Sequence, residues 1–140
     1  MLVQQVLTID STAREIRNIS AEVQAVVAQA GIKTGLCHVF CHHTSASLML
    51  CENADPAVLH DLQNFMSGLV PENSLDYRHA DEGPDDMPAH IRTVLSHSDL
   101  TIPVSHGRCD LGTWQGVYLW EHRAANHRRR LTITVSGISA

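Results

Sequence analysis

The chain has 140 residues, of which 44% are hydrophobic and 18% are charged. This composition is typical of one globular domain and excludes an intrinsically disordered protein. The formal net charge of −5 argues against nucleic acid as the main partner, since nucleic-acid-binding domains carry basic surfaces. Ten histidines are an unusual count, and they direct attention to metal binding or acid–base chemistry.

The N-terminal segment and the cysteines indicate a cytoplasmic protein. Residues 1–10 lack a basic region followed by an apolar run and a cleavage site, so no signal peptide is predicted. No apolar run approaches the ~18 residues of a membrane-spanning helix, so no membrane partner is expected. Four unevenly spaced cysteines are too few for a disulfide framework. We therefore expect a reduced, soluble, cytoplasmic chain.

The first part of the chain shows a strand pattern, a helix pattern and a second strand pattern. Residues 2–9 alternate imperfectly and predict a strand. Apolar residues recur at three- and four-residue steps over residues 16–30 and predict an amphipathic helix, with Gly31 as its C-cap. Residues 36–43 form a short apolar run that predicts another strand.

Cys37 and Cys41 lie in this second predicted strand. On a strand they are about 13 Å apart, at ~3.3 Å per residue, which is too far to ligate one metal ion. We therefore interpret them as reduced, metal-free, buried residues. His43 ends the strand and begins a polar turn that runs to Ser47, the type of segment in which functional residues are common.

The middle of the chain contains two helix patterns joined by an acidic loop. Asp55 and Pro56 predict the N-cap and the first residue of a helix. Its inward-facing residues are expected to be Val58, Leu59, Leu62, Phe65, Met66 and Leu69. Residues 72–88 predict an irregular loop that carries six carboxylates and a single fixed base, Arg78. A short helix is predicted to begin near Pro88.

The last third of the chain is rich in strand patterns. The predicted strands are residues 99–104, 116–122 and 131–136. In the last of them Leu131, Ile133 and Val135 face one side and hydroxyl side chains face the other, as in a half-buried strand. Helices and strands are mixed without regular alternation, which predicts an α+β fold in a single domain of residues 1–140.

Two histidines, His79 and His90, flank a group of four carboxylates in and after the acidic loop. One interpretation is a solvated acidic loop. The other is a metal site in which His43, His79 and His90 supply three imidazoles and leave an open position for water or substrate, as catalytic zinc sites do. The neighbouring carboxylates would then orient these imidazoles through their second N–H groups.

Further charged groups lie near the C-terminal end. Glu121, His122 and Arg123 either form part of a site or are a charged strand end exposed to water. The basic run at residues 128–130 is interpreted as the solvated turn of a hairpin rather than as a phosphate site. A serine nucleophile is not supported, because no G-x-S-x-G elbow is present.

Three blocks of the sequence together resemble the bacterial YjbQ family, whose members are often described as secondary thiamine-phosphate synthases. The blocks are H-T-S-A-S-L with E-N-x-D-P at residues 43–56, Y-x-H-x-x-E-G-x-D-D-M-P-x-H-I at residues 77–91, and G-T-W-Q-G with E-H-R at residues 112–123. They follow one another in order along nearly the whole chain and are specific in combination.

The resemblance implies an α+β fold built on a β-sandwich with flanking helices, assembled as a homotrimer around a metal-capable histidine cluster. It implies an enzyme that joins hydroxymethylpyrimidine diphosphate to hydroxyethylthiazole phosphate and releases diphosphate, as a secondary activity. A non-catalytic trimer that binds a metal or a small ligand stays open as an alternative. So does a metal-assisted hydrolase that uses Glu121 or Asp86 as its base.

The resemblance also implies roles for individual residues. The expected metal ligands are His43, His79 and His90. The expected catalytic residues are Asp86, Glu121 and Arg123, with Asp85 beside them. The expected substrate-binding residues are Ser45, Asn53 and Gln115. A set of imidazole ligands favours zinc or another transition metal over magnesium, which prefers oxygen.

Overall fold

A computed structural model describes residues 1–139, which form eight strands and three helices. In chain order they are β1 (Leu2–Ser11), β2 (Ile16–Asn18), α1 (Ser20–Ala30), β3 (Thr34–Cys41), β4 (Ala46–Glu52), α2 (Pro56–Leu69), α3 (Asp86–Leu95), β5 (Asp99–Ser105), β6 (Arg108–Cys109), β7 (Gln115–Glu121) and β8 (His127–Ile138). The α+β class predicted from the sequence is confirmed.

The strands form two antiparallel sheets that share one apolar core. The larger sheet has the strand order β1-β8-β3-β5-β6, and the smaller has the order β2-β7-β4. Buried side chains of both sheets and of α1 form one continuous cluster. The fold is therefore a sandwich of two sheets with flanking helices, as the family resemblance implies.

Alternation in the larger sheet follows the sequence prediction. Leu131, Ile133 and Val135 of β8 are fully buried. Cys37 and Cys41 of β3 are also buried, and within residues 1–139 neither forms a disulfide bond. His38 and Phe40, which alternate with them on β3, point to the outer face of the sheet, since successive residues of a strand face opposite sides.

Three strands were not predicted: β2, β4 and the two-residue β6. Residues 16–18 form the edge strand β2, paired with β7, and the helix begins only at Ser20. The apolar pattern does not distinguish a strand from a helix here, because Ile16 and Ile19 fit the apolar face of either structure. The first residues of β4 belong to the segment that the sequence analysis interprets as a polar turn. Its first four residues are all buried, so it lacks the alternation by which a strand is recognised.

The start of α2 agrees with prediction, whereas its apolar face does not. Asp55 caps the helix, with its side chain accepting a hydrogen bond from the Ala57 backbone N–H at 2.9 Å. Phe65 and Leu69 were expected to face inward, but they are exposed. The inward-facing members pack against a second, smaller cluster on the smaller sheet; these members are Leu59, Leu62 and Met66.

Helix α3 begins two residues earlier than predicted, at Asp86 rather than at Pro88. This shift moves Asp86 from the acidic loop into the first turn of the helix. Asp86 and His90 are then four residues apart on one helical face, where side chains are close enough to interact. Among the described residues, no helix has the length and apolar character needed to cross a membrane.

Candidate metal centre

Two imidazoles converge on one carboxylate at the start of α3. His79 Nε2 is 2.7 Å from Asp86 Oδ2, and His90 Nε2 is 3.0 Å from the same oxygen. The three ligand atoms all lie within 4.8 Å of one another. His79 comes from the loop before α3, and Asp86 and His90 come from its first turns. Two imidazole nitrogens and one carboxylate oxygen are a common donor set for zinc and for non-haem iron.

The backbone carbonyl of Thr44 fixes the protonation of His90. His90 Nδ1 is 2.8 Å from this oxygen, and a carbonyl oxygen only accepts, so Nδ1 carries the hydrogen. A neutral His90 therefore has its lone pair on Nε2, directed at the Asp86 carboxylate, which also only accepts. A cation between the two groups would satisfy both. Metal-binding histidines are oriented by the same type of contact to a carbonyl oxygen.

Asp86 lies in surroundings that favour its ionised form. Its side chain is 2% exposed, and its second oxygen, Oδ1, forms an ion pair with Arg123 Nη1 at 2.9 Å. Burial alone would raise the pKa of this carboxyl group. The hydrogen bonds with His79 and Glu82 and the charge of Arg123 outweigh burial, so the pKa lies below its usual value.

Arg123 ties the acidic loop to the end of β7. Its Nε donates to Asp85 Oδ2 at 2.8 Å, and its Nη2 donates to the Glu82 backbone carbonyl at 3.1 Å. The Ala124 backbone N–H donates to the same Asp85 oxygen at 2.9 Å. Arg123 was expected to be catalytic. Its N–H groups are used within the protein, so its contacts are those of a residue that positions Asp85 and Asp86.

Glu121 lies in a buried ion pair and not at the surface. Its carboxylate is fully buried and accepts hydrogen bonds from Arg129, including one from Nε at 2.7 Å, and from Ser11 Oγ at 2.6 Å. Arg129 also donates to the Ser45 hydroxyl at 3.0 Å. Burial opposes ionisation, but these hydrogen bonds hold the pKa of Glu121 below its usual value.

The pairing of Glu121 with Arg129 corrects two interpretations. Residues 128–130 belong to β8 and not to a hairpin turn, and Glu121 does not form an exposed strand end. Strand β7 is the central strand of the smaller sheet and is buried on both faces, so the charges at its end are buried too. Glu121, expected to be catalytic, and Ser45, expected to bind substrate, therefore contact protein groups.

Asn53 and Gln115 lie at the opposite end of the antiparallel pair formed by β4 and β7. Strand β4 pairs with β7 from Ala46 opposite Glu121 to Glu52 opposite Gln115. Six steps at ~3.3 Å per residue separate these ends by about 20 Å. Asn53 Nδ2 donates to the Gln115 backbone carbonyl at 3.3 Å. Within one chain these two expected substrate-binding residues are thus not brought to the histidines.

His43 is not brought into the group of ligand atoms. Its Nε2 accepts a hydrogen bond from the Arg130 backbone N–H at 2.7 Å. Burial, and secondly the charge of Arg129, lower the pKa of His43. The residue after it, Thr44, provides the carbonyl oxygen that contacts His90. The polar turn therefore contacts the candidate metal centre through the backbone carbonyl of Thr44 and not through the His43 side chain.

A buried serine–histidine contact was also missed. His122 Nε2 is 2.8 Å from Ser47 Oγ, and both residues are buried. Burial, and then the charge of Arg92, lower the pKa of His122 to about 3, so the ring is neutral at physiological pH. Within residues 1–139 its Nδ1 has no hydrogen-bond partner. The pair has neither access to solvent nor a third member, and it is not a nucleophilic triad.

The chain is similar to proteins whose names give a family and no activity. A sequence profile described as "UPF0047 protein YjbQ-like" matches residues 5–138. A UPF0047 protein of Synechocystis sp. is 53% identical over 134 residues, which cover 96% of this chain and 91% of that protein. The UPF0047 protein YjbQ of Escherichia coli O157:H7 is 41% identical, and the match covers 98% of this chain and 99% of that protein.

Solved structures share the fold. An uncharacterised conserved protein of the yjbq/upf0047 family from Clostridium acetobutylicum superposes with a TM-score of 0.82 at 31% identity, covering 96% of this chain and 99% of that one. A YbjQ-like protein of unknown function from Sulfolobus solfataricus superposes with a TM-score of 0.85 at 22% identity, covering 98% and 99%. With its fold and nearly its whole length matched, the chain belongs to the UPF0047 (YjbQ-like) family.

Proposed function

We propose that this chain binds one divalent transition-metal ion through His79, Asp86 and His90. The observation that carries the proposal is the convergence of two imidazole nitrogens and a buried carboxylate oxygen within 4.8 Å. The lone pair of a neutral His90, fixed by the Thr44 carbonyl oxygen, faces that carboxylate. A donor set with two nitrogens favours zinc or another transition metal over magnesium.

The ion would serve as a Lewis acid. Three protein ligands leave at least one coordination position for substrate, as in catalytic zinc sites. The reaction that the family resemblance suggests is thiamine-phosphate synthesis. The thiazole nitrogen forms a bond to the pyrimidinylmethyl carbon, and the bond from that carbon to the diphosphate oxygen breaks. A cation must stabilise the charge that develops on diphosphate. Arg123 is engaged with Asp85 and Asp86, so an ion held by His79, Asp86 and His90 would supply this positive charge.

A second candidate is metal-assisted hydrolysis, in which the open position holds water. Neither base expected from the sequence is suited to it, since Glu121 is buried and Asp86 is a ligand. Glu82 is better placed: its Oε2 is 4.0 Å from His79 Nε2, and its side chain is exposed. A carboxylate beside the ion could accept the proton of a bound water molecule.

Metal analysis together with activity assays tests the proposal. Protein purified without added metal is expected to contain about one equivalent of a transition metal per chain, by elemental analysis. Chelation should abolish synthase activity with both substrates, and adding the metal back should restore it. Hydrolysis of a phosphate ester in place of synthesis would favour the second candidate. Metal without either activity would indicate a binding protein, and no bound metal would contradict the proposal.

The expected homotrimer has support in the outer face of the larger sheet. Val6 and Phe40 both lie opposite Thr132 of β8, and both are exposed. Leu2 and Leu36 lie likewise on either side of β8, and both are exposed. Apolar rows of this kind are typical of surfaces that are covered in an assembly. Light scattering should give three times the mass of 15.4 kDa, and a monomeric mass would contradict this expectation.

A further inference from the structure

The second half of the acidic loop places a further carboxylate beside the proposed metal centre. Glu82 Oε2 is 4.0 Å from His79 Nε2, and a side-chain hydrogen bond joins Glu82 to Asp86. Two carboxyl groups this close need a proton or a cation between them, because bare carboxylates repel each other. The Glu82 carboxylate therefore lies where a cation bound by His79 and Asp86 would attract it.

A turn at Gly83 brings Glu82 close to the start of α3. Gly83 has a φ of 103°, a backbone conformation that favours glycine. The Asp86 backbone N–H donates to the Gly83 carbonyl oxygen at 3.4 Å and closes this turn. The Glu82 backbone carbonyl accepts a hydrogen bond from Arg123 Nη2 at 3.1 Å. The backbone thus fixes the place of Glu82 beside Asp86 and leaves its side chain free.

The neighbouring carboxylate of Asp85 does not have this freedom. Its Oδ2 accepts a hydrogen bond from Arg123 Nε at 2.8 Å, so it is used within the protein. Within residues 1–139, the only ion pair of the Glu82 carboxylate is the one with His79, and the Glu82 side chain is 63% exposed. Glu82 is therefore the carboxylate of this turn that can move towards an ion and away from it again.

Glu82 lies next to the three-residue metal group without belonging to it. The ligand atoms within 4.8 Å of one another are those of His79, Asp86 and His90. Three protein ligands leave one position of a tetrahedral ion unfilled. We propose that Glu82 is a fourth, displaceable ligand, which fills this position in the absence of substrate and leaves it when a substrate oxygen binds. This role rests on the proposed metal centre.

Cobalt-loaded protein tests the role of Glu82, because the visible absorption of Co²⁺ depends on its ligands. Chelated protein is loaded with Co²⁺ and titrated with acetate, a free carboxylate that competes with Glu82. Acetate should bind the Glu82→Ala variant at least about ten-fold more tightly than the unaltered chain, in which Glu82 fills the position most of the time. Competition with a chelator should show that the variant binds Co²⁺ at least about ten-fold more weakly.

Asp81→Ala is the matched control. Asp81 precedes Glu82 in the same loop and is also exposed, so its removal takes away the same charge beside the same site. Both affinities of this variant should stay within about three-fold of those of the unaltered chain, because exposed charges are screened by salt. Both substituted residues are exposed, and circular dichroism should show the same fold for the two variants.

The outcomes separate the role of Glu82 from the metal proposal. Equal acetate affinities for the unaltered chain and the Glu82→Ala variant would overturn this role and leave the metal centre in place. An equally large effect of Asp81→Ala would also overturn it, since the loss of charge would then explain the result. If the unaltered chain bound no Co²⁺, the metal proposal and the role of Glu82 would both be wrong.

Discussion

Replacing His90 with alanine is expected to reduce bound metal from about one equivalent per chain to less than a tenth. The variant loses one of three protein ligands. Alteration of groups that only support a ligand already costs about 10–100-fold in metal affinity, so loss of a ligand should cost more. His90 is partly exposed, and its removal leaves the shared core of the two sheets intact. Elemental analysis of the purified variant measures the effect.

His42→Ala is the matched control for this experiment. His42 is an exposed histidine whose Nε2 shares a hydrogen bond with Thr132 Oγ1 at 2.7 Å, and it is not a member of the metal group. Its variant should retain all of the metal. Circular dichroism should show the same fold for both variants. Full metal content in a folded His90→Ala variant would rule out the proposed centre.

The sequence predicts the fold best where one periodicity dominates. Leu131, Ile133 and Val135 of β8 alternate with hydroxyl side chains, and they are buried as expected. Asp55 and Pro56 are local signals for a helix start, and α2 begins where they place it. Strand β4 has no comparable signal. It is buried on both faces at its start, and only the pairing with β7, distant in sequence, makes it a strand.

The metal centre was anticipated in part. His79 and His90 were both identified, and they do converge. His43 was expected to be the third member of this group, whereas the side chain that lies beside the two histidines is that of Asp86. One cause is the predicted start of α3 at Pro88. If Asp86 lay in the loop, the sequence would not fix the position of its side chain relative to His90. With Asp86 in the first turn, the four-residue spacing fixes that relation. The boundaries of an element are thus decisive for a site built at its end.

The buried arginine could have been found from the sequence. Arg129 has the same parity as Leu131, Ile133 and Val135, so a strand extended back by two residues turns it inward. Its neighbours on either side then face outward. What the sequence does not contain is the partner: Glu121 meets Arg129 only because the ends of β7 and β8 come together across the two sheets.

Replacing Arg129 with methionine is expected to reduce the free energy of unfolding by about 3–5 kcal/mol, because it leaves a buried carboxylate without its cation. Glu121 is fully buried, and its hydrogen bonds with Arg129 and Ser11 favour the ionised carboxylate by holding its pKa below the usual value. The substitution also removes the donor to the Ser45 carbonyl oxygen. Urea denaturation followed by circular dichroism measures the loss.

The adjacent residue supplies the control, because Arg128 differs from Arg129 chiefly in the side of the sheet that it faces. Arg128 pairs with Asp10 at 3.0 Å, but its side chain is 75% exposed, whereas that of Arg129 is 5% exposed. Arg128→Met should therefore cost less than about 1 kcal/mol. Changing Glu121 to leucine in the Arg129→Met background removes the stranded charge, so this double variant should recover much of the lost stability. Equal losses for the two single variants would show that the buried pair contributes no more than a surface pair.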